Sequence, residues 1–262
     1  MTKLASKLIK VFPRRNTTRE MPEMRNERLR LASVEITEQC NNRCPYCDQR
    51  KSELFMPVAQ FSNLLDELAT DGTEAVALGG GEPTLHPALP DVLGAVRERG
   101  LRAGLTTNAF NPRLVLQLVD QGLLESFGVS AGKGEWLRLV AHTRAIVNLL
   151  LLRNSVNETI RQAATAVRRG AKCLLLLGYK GARPEFRPST AELSDAYTML
   201  NMLGRKLDLT IAADDYTRRR LGLTTTCGEG FLRVRIDGAR EPCCFGSCEF
   251  RCNSDIHQAS FS

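Results

Sequence analysis

At 262 residues and 43% hydrophobic composition, the chain can bury a sizeable core as one large domain or one large and one small, which excludes a fibrous or disordered protein. The lack of any eighteen-residue apolar run argues against a membrane span. Nine cysteines in two clusters, with Cys173 alone between them, argue against a secreted disulfide framework and for reduced intracellular thiols that serve a metal.

The net charge of +7 is unevenly spread. Residues 1–30 carry nine Lys or Arg against three Glu, and Arg218, Arg219 and Arg220 form a second concentration. Such patches suit a polyanionic partner, or are simply a solvated basic face. Residues 1–30 read as a basic N-terminal extension, with a short amphipathic helix expected over 2–11 and Pro13 and Pro22 breaking the remainder. The stretch lacks the apolar centre and small-residue cleavage site of a signal peptide, so a cytoplasmic location is expected.

Alternation and β-branched content predict a first strand over 31–36, which runs directly into a cysteine loop. Pro57 marks the start of a helix whose Phe61, Leu64, Leu65 and Leu68 share one face. The unit then repeats. Strand two is expected over 75–78, a helix carried by Leu89, Val92, Leu93 and Val96 comes next, and strand three covers 101–106. A helix over 114–119 closed by Gly122 leads to strand four over 126–130 and strand five over the apolar run 146–152. Ile160, Ala163, Ala164 and Val167 mark another helix and 173–177 strand six. Ser189 with Glu192 has the pattern of a capping box opening a helix through Leu200, and 207–212 suits a further strand. Six β-then-α units in series imply a parallel sheet with helices outside.

The loop after strand one reads Cys40-Asn41-Asn42-Arg43-Cys44-Pro45-Tyr46-Cys47. Three thiols on one loop can hold three irons of a 4Fe-4S cluster and leave the fourth open. A zinc knuckle is the competing reading, and the lack of a fourth Cys or His nearby stands against it. The spacing, with an aromatic residue before the last cysteine, resembles the signature of radical S-adenosylmethionine (radical SAM) enzymes. The resemblance implies that the open iron binds S-adenosylmethionine, and that an electron from the cluster splits it to a 5'-deoxyadenosyl radical, with Cys40, Cys44 and Cys47 as the cluster ligands and an external electron donor as partner. It also implies the fold: an α/β, partial (β/α)6 TIM-like barrel over residues 31–215.

Active sites of such sheets lie at the C-terminal strand ends. After strand two stands Gly79-Gly80-Gly81-Glu82-Pro83. It matches the family's glycine-rich motif, which holds the amino group of S-adenosylmethionine. After strand three stands Thr106-Thr107-Asn108, also familiar from the family at this place, where Asn108 either contacts cofactor or substrate or caps a turn. Tyr46 and Ser130, the latter at the end of strand four, complete the candidate cofactor contacts. Arg153 and Asn154 end strand five, and Tyr179 and Lys180 end strand six, positions that face substrate in this fold; Lys180 would meet an anion or point to solvent. His86 reads as a turn residue, Cys173 as a small buried apolar residue, and Trp136 as packing.

Residues 223–252 hold the second cysteine group. An alternating strand over 232–236 and the turn pair Asp237-Gly238 predict a hairpin returning toward Cys243. The pattern resembles the twitch form of a SPASM domain, a small cysteine-rich β-hairpin extension that binds an auxiliary 4Fe-4S cluster. That implies Cys227, Cys243, Cys248 and Cys252 as ligands with Cys244 spare; a structural zinc, or three ligands with an open iron, are the alternatives. The expected function is hydrogen abstraction leading to oxidation or rearrangement of a small molecule or modified nucleobase. The alternatives are isomerisation of an amino-acid adduct on a hypermodified thymine in phage-type DNA, peptide modification, and a metal-stabilised nucleic-acid-binding protein without enzymatic activity.

Overall fold

The computed structural model describes residues 30–250 apart from Thr226, Cys244 and Ser247. The N-terminal extension and Cys252 lie outside the described residues. Strands and helices alternate as the periodicity dictates: β1 (Leu31–Thr37), α1 (Val58–Thr70), β2 (Ala75–Gly80), α2 (Leu89–Glu98), β3 (Arg102–Thr107), α3 (Pro112–Asp120), β4 (Ser126–Ser130), β5 (Ala145–Leu151), α4 (Val156–Arg168), β6 (Cys173–Gly178), α5 (Thr190–Leu207), β7 (Thr210–Ala213), α6 (Asp215–Arg220), β8 (Phe231–Val234) and β9 (Arg240–Glu241). They form a single sheet in the order β7-β6-β5-β4-β3-β2-β1-β8-β9.

Strands β1 to β8 pair in parallel and only β9 runs antiparallel, against β8. The expected α/β architecture with parallel strands and outer helices is therefore present. Register assigns the two faces different work. Val34, Leu78, Leu105, Phe127, Val147 and Leu174 lie on the helix-packed face and join one core with Phe61, Leu65 and Leu93. The opposite face carries Glu35, Gly79, Thr106, Gly128, Asn148 and Leu177, because side chains alternate with period two. Small and polar residues there leave the sheet's inner face open toward the C-terminal strand ends.

Several boundaries differ from the sequence expectation; β7, for one, covers Thr210–Ala213 rather than 207–212. β5 starts one residue early, at Ala145, which pairs with Phe127, and stops at Leu151 because the Ser155 hydroxyl takes both the Leu152 N–H and its carbonyl at 2.8 Å. α5 begins with the expected capping box but runs on to Leu207, where Asp208 turns into the left-handed region at φ 53°. Gly204 permits this extra length: a Cβ there would stand 2.5 Å from Ile211 Cγ1 on β7.

The expected hairpin forms, with Gly238 at φ 83° in its turn. It joins the main sheet, because β8 pairs with β1 from Leu31↔Phe231 to Val34↔Val234. The first strand is thus internal, and the C-terminal thiols stand on the same sheet as the first cysteine loop.

Candidate active site

The cysteine loop closes on its own stem. The Thr37 hydroxyl donates to the Leu54 carbonyl at 2.9 Å, the Glu38 N–H to the same carbonyl, and the Ser52 hydroxyl to the buried Glu38 carboxylate at 2.7 Å. Inside this frame Cys40, Cys44 and Cys47 are half-buried and free of disulfides. The Asn42 N–H points at Cys40 Sγ (3.4 Å) and the Cys47 N–H donates to the Cys44 carbonyl (3.1 Å).

The glycine run fits against this stem. Gly80 has φ +110°, and a Cβ on it would lie 2.1 Å from the Thr37 carbonyl oxygen; one on Gly81 would lie 2.0 Å from that of Gln39. Side chains are excluded there by contact with backbone. Gly79, by contrast, faces open space. Glu82 is 1% exposed, and its carboxylate accepts hydrogen bonds from the Thr84 hydroxyl and the Thr107 hydroxyl (both 2.7 Å) and from the Asn108 N–H (2.6 Å). It is a keystone binding the ends of β2 and β3. Asn108 caps its turn, Oδ1 accepting from the Phe110 N–H, and its Nδ2 donates to Asn41 Oδ1 at 2.8 Å, reaching into the cysteine loop. On the other flank, the Asp48 carboxylate accepts from the Ala182 N–H (2.7 Å) and Arg183 donates to the Pro45 carbonyl.

Ser130 ends β4 half-buried, and three residues later stands a group that the sequence reading does not single out. Lys133 sits in a turn between Gly132 and Gly134, with its ammonium 5.4 Å from the Tyr46 ring centre. A Cβ on Gly134 would meet the Ala109 carbonyl at 2.5 Å, so only glycine lets the turn press this close. Burial works against the Lys133 charge, but the Tyr46 hydroxyl and then Cys44 more than offset it and hold its pKa above the ordinary value. Burial raises the Tyr46 hydroxyl in turn, against the opposing pull of Lys133. The signal in the sequence is a lysine bracketed by glycines at a strand end.

Beside the loop opens a cavity of about 540 Å³, with Tyr46 and Cys47 on one side, Leu150 and Leu177 on the inner sheet face, Lys180 and Asp214 at the β6 and β7 ends, and Arg233 and Phe245 from the C-terminal region. Lys180 meets an anion within the protein: its ammonium pairs with Asp214 at 2.8 Å, and its side chain is 19% exposed. Arg153 and Asn154, expected to face substrate, do not line this cavity. Arg153 donates to the Arg187 and Pro184 carbonyls, and Asn154 turns at φ 60° with its N–H on Glu192. Both brace the segment that comes after β6. Tyr179 is buried and its hydroxyl accepts from the Arg183 N–H. His86 holds the Met56 carbonyl and the Ala88 N–H, the turn role expected.

The C-terminal thiols gather partly. Cys243 and Cys248 are hydrogen-bonded to each other, which with burial pushes the Cys248 thiol well up. Cys227 lies within electrostatic reach of Cys243; burial first, then Asp215, raises its pKa. Cys173 is buried far from both groups in sequence, and burial alone raises it to about 11. The arginine run is no free basic patch. Arg219 stacks on Phe250 at 4.3 Å, while Arg220 contacts Glu249 at 3.1 Å, the Tyr216 hydroxyl and the Thr190 hydroxyl.

Residues 34–185, more than half of the chain, match the model of the radical SAM superfamily. The chain belongs to this superfamily. Among curated radical SAM relatives, it is 27% identical over 246 residues to PqqA peptide cyclase of Streptomyces rochei, covering 80% of this chain and 68% of that protein. It is 35% identical over 100 residues to molybdenum cofactor biosynthesis protein 1 of Bos taurus, covering 34% of this chain and only 16% of that protein. The fold is that of Streptococcus suis SuiB solved bound to S-adenosylmethionine (TM-score 0.68, 15% identity), over 82% of this chain and 60% of that one.

Radical SAM proteins use a 4Fe-4S cluster and S-adenosylmethionine, and the donor set here fits. Among the described residues no three Cys, His, Asp or Glu side chains crowd tightly enough to wrap a single ion. A cubane places each thiolate on a different iron, and the loop offers three half-buried thiols free of disulfides as soft donors. No helix among the described residues is long and apolar enough to cross a membrane.

Proposed function

We propose that this chain is an enzyme that reductively cleaves S-adenosylmethionine and abstracts hydrogen from a small polar substrate. Cys40, Cys44 and Cys47 would hold the cluster; bound together, cluster and S-adenosylmethionine supply the electron and the 5'-deoxyadenosyl radical. The chain's own residues bind and orient. Gly79, with open space before it, lets a ligand approach the β2 backbone. Glu82 shapes that edge from behind, since its oxygens already serve Thr84, Thr107 and Asn108. The Lys133 ammonium, beside Cys44 and Tyr46, is positioned for the cofactor's carboxylate, with Ser130 nearby on the same strand end.

The observation that carries this reading is the strapped cysteine loop opening on a 540 Å³ cavity. Leu150, Leu177 and Phe245 supply apolar lining and Lys180, Asp214 and Arg233 supply charge, a mixture suited to a compact polar molecule or one side chain. Cys227, Cys243 and Cys248, with Cys252 as expected fourth ligand, would form the auxiliary centre and receive an electron when the outcome is oxidation. An external donor supplies the first electron.

A peptide substrate is the second reading, favoured by the alignment with PqqA peptide cyclase over 80% of this chain. A nucleic-acid substrate loses one support, because Arg219 and Arg220 are engaged by residues 249 and 250. The test is anaerobic reconstitution with iron and sulfide, then reduction with dithionite in the presence of S-adenosylmethionine. Release of 5'-deoxyadenosine is expected. A zinc-only protein, or an iron spectrum indifferent to S-adenosylmethionine, would refute the reading.

A further inference from the structure

Lys180 stands where two sites meet. It leaves the end of β6 with Gly178 locked behind it: the Gly178 N–H donates to the Thr217 hydroxyl at 2.8 Å, and a Cβ on Gly178 would press on Thr217, Leu193 and Tyr216. From that fixed base its side chain lines the cavity, pairs with Asp214 at 2.8 Å and lies over the Phe245 ring at 5.1 Å and the Tyr216 ring at 5.8 Å. Phe245 falls between Cys243 and Cys248 in the chain, and its carbonyl accepts from the Cys248 N–H at 3.2 Å. The same ammonium lies within electrostatic range of Cys227 and Cys248, as Asp214 and Asp215 do of Cys227.

We propose that Lys180 is a positioning residue shared by the substrate cavity and the C-terminal thiols, whose charge raises the reduction potential of a metal centre held by Cys227, Cys243 and Cys248. The physical basis is general. A cation beside a thiolate-bound cluster stabilises the reduced state, which carries one more negative charge, more than the oxidised state. With four-fifths of its side chain removed from water and aromatic rings on two sides, the interaction is poorly screened. Asp214 holds the ammonium from the cavity wall, so whatever polar group occupies the cavity competes for the charge that the C-terminal centre feels. The inference rests on the reading of those thiols as an iron-sulfur site.

The test uses the full chain with Cys40, Cys44 and Cys47 all changed to Ala, so that reconstituted iron reports the C-terminal site alone. Iron content and the midpoint potential, tracked by electron paramagnetic resonance, are compared with and without Lys180→Met and Lys180→Arg. The expected result is retained iron, a potential shifted negative by Lys180→Met, and one near the unsubstituted value in Lys180→Arg. Retained iron with a potential unmoved by Lys180→Met overturns the proposal. So does loss of iron from both Lys180 variants while the parent holds it, which would mark the residue as structural. Absence of iron from the parent itself refutes the C-terminal iron-sulfur reading, an outcome distinct from failure of the Lys180 role.

Discussion

The two cysteine groups are held in different ways. The first is strapped largely through backbone: the Gly81 and Glu82 N–H groups donate to the Thr37 and Gln39 carbonyls at 2.7 and 2.8 Å, and the Glu82 and Asn108 side chains add ties among β2, β3 and the loop. The second is held by side chains from distant elements, with Arg219 on Phe250, Arg220 on Glu249 and Lys180 on Phe245. Backbone straps leave little freedom to the ligands they position, whereas ion pairs and ring contacts can shift with what is bound. The difference is what the two proposed roles require: one open iron presented at a set place by the first group, and for the second a centre whose properties answer to a neighbouring cavity.

The sharpest way to break this comparison is Cys44→Ala, which should reduce 5'-deoxyadenosine release below detection while iron at the C-terminal thiols remains; chromatography of the product and iron analysis check it. Next comes Glu82→Ala. It strands the Thr107 hydroxyl and the Asn108 N–H in a buried site, and should lower unfolding stability by about 3 kcal/mol in urea titration, since bonds to a charged acceptor are worth roughly 1.5–3 kcal/mol each. Wild-type stability in that variant would show that the strap is ornamental. Arg220→Ala should have a smaller effect, about 1 kcal/mol, because its partner Glu249 is 38% exposed and solvent screens the pair. Limited proteolysis should then cut near residue 249 faster, with cleavage of S-adenosylmethionine unchanged.

At neutral pH the smallest effect belongs to Cys173, outside both groups. Its thiol is raised from 9.0 to about 11 by burial. The unfolded thiol therefore ionises first as pH rises, and folding stability should fall between pH 9 and about 11. Cys173→Ala should remove that component of the pH dependence without loss of iron, as measured by denaturant melts across the range.

Much of the molecule is legible in order along the chain. The C-x3-C-x2-C loop, the Gly-Gly-Gly-Glu-Pro run and the repeated β-then-α spacing are local, and each lies where a strand end must put it. Residues outside local patterns read less well. Lys180 has the sequence context of a solvent-facing lysine because nothing near it in the chain announces Asp214 or Phe245. Arg153 and Asn154 have that of substrate contacts, but β5 stops at Leu151 and both turn to brace the segment 184–192. Arg219 and Arg220 have that of a basic patch, since a run of charges carries no sign of Phe250 and Glu249, which engage them.

By itself the sequence determined the chemistry on offer: three soft ligands on one loop, a glycine run that admits close backbone approach, and an α/β order that places both at the same sheet rim. Tertiary structure alone decided that β8 joins β1, that Lys133 reaches Tyr46 and Cys44, and that Lys180 bridges the cavity and the second thiol group. The physical reason is range. Thiol spacing and strand periodicity act within a few residues, while the placing of a charge depends on partners from across the chain, brought near only once the core has closed.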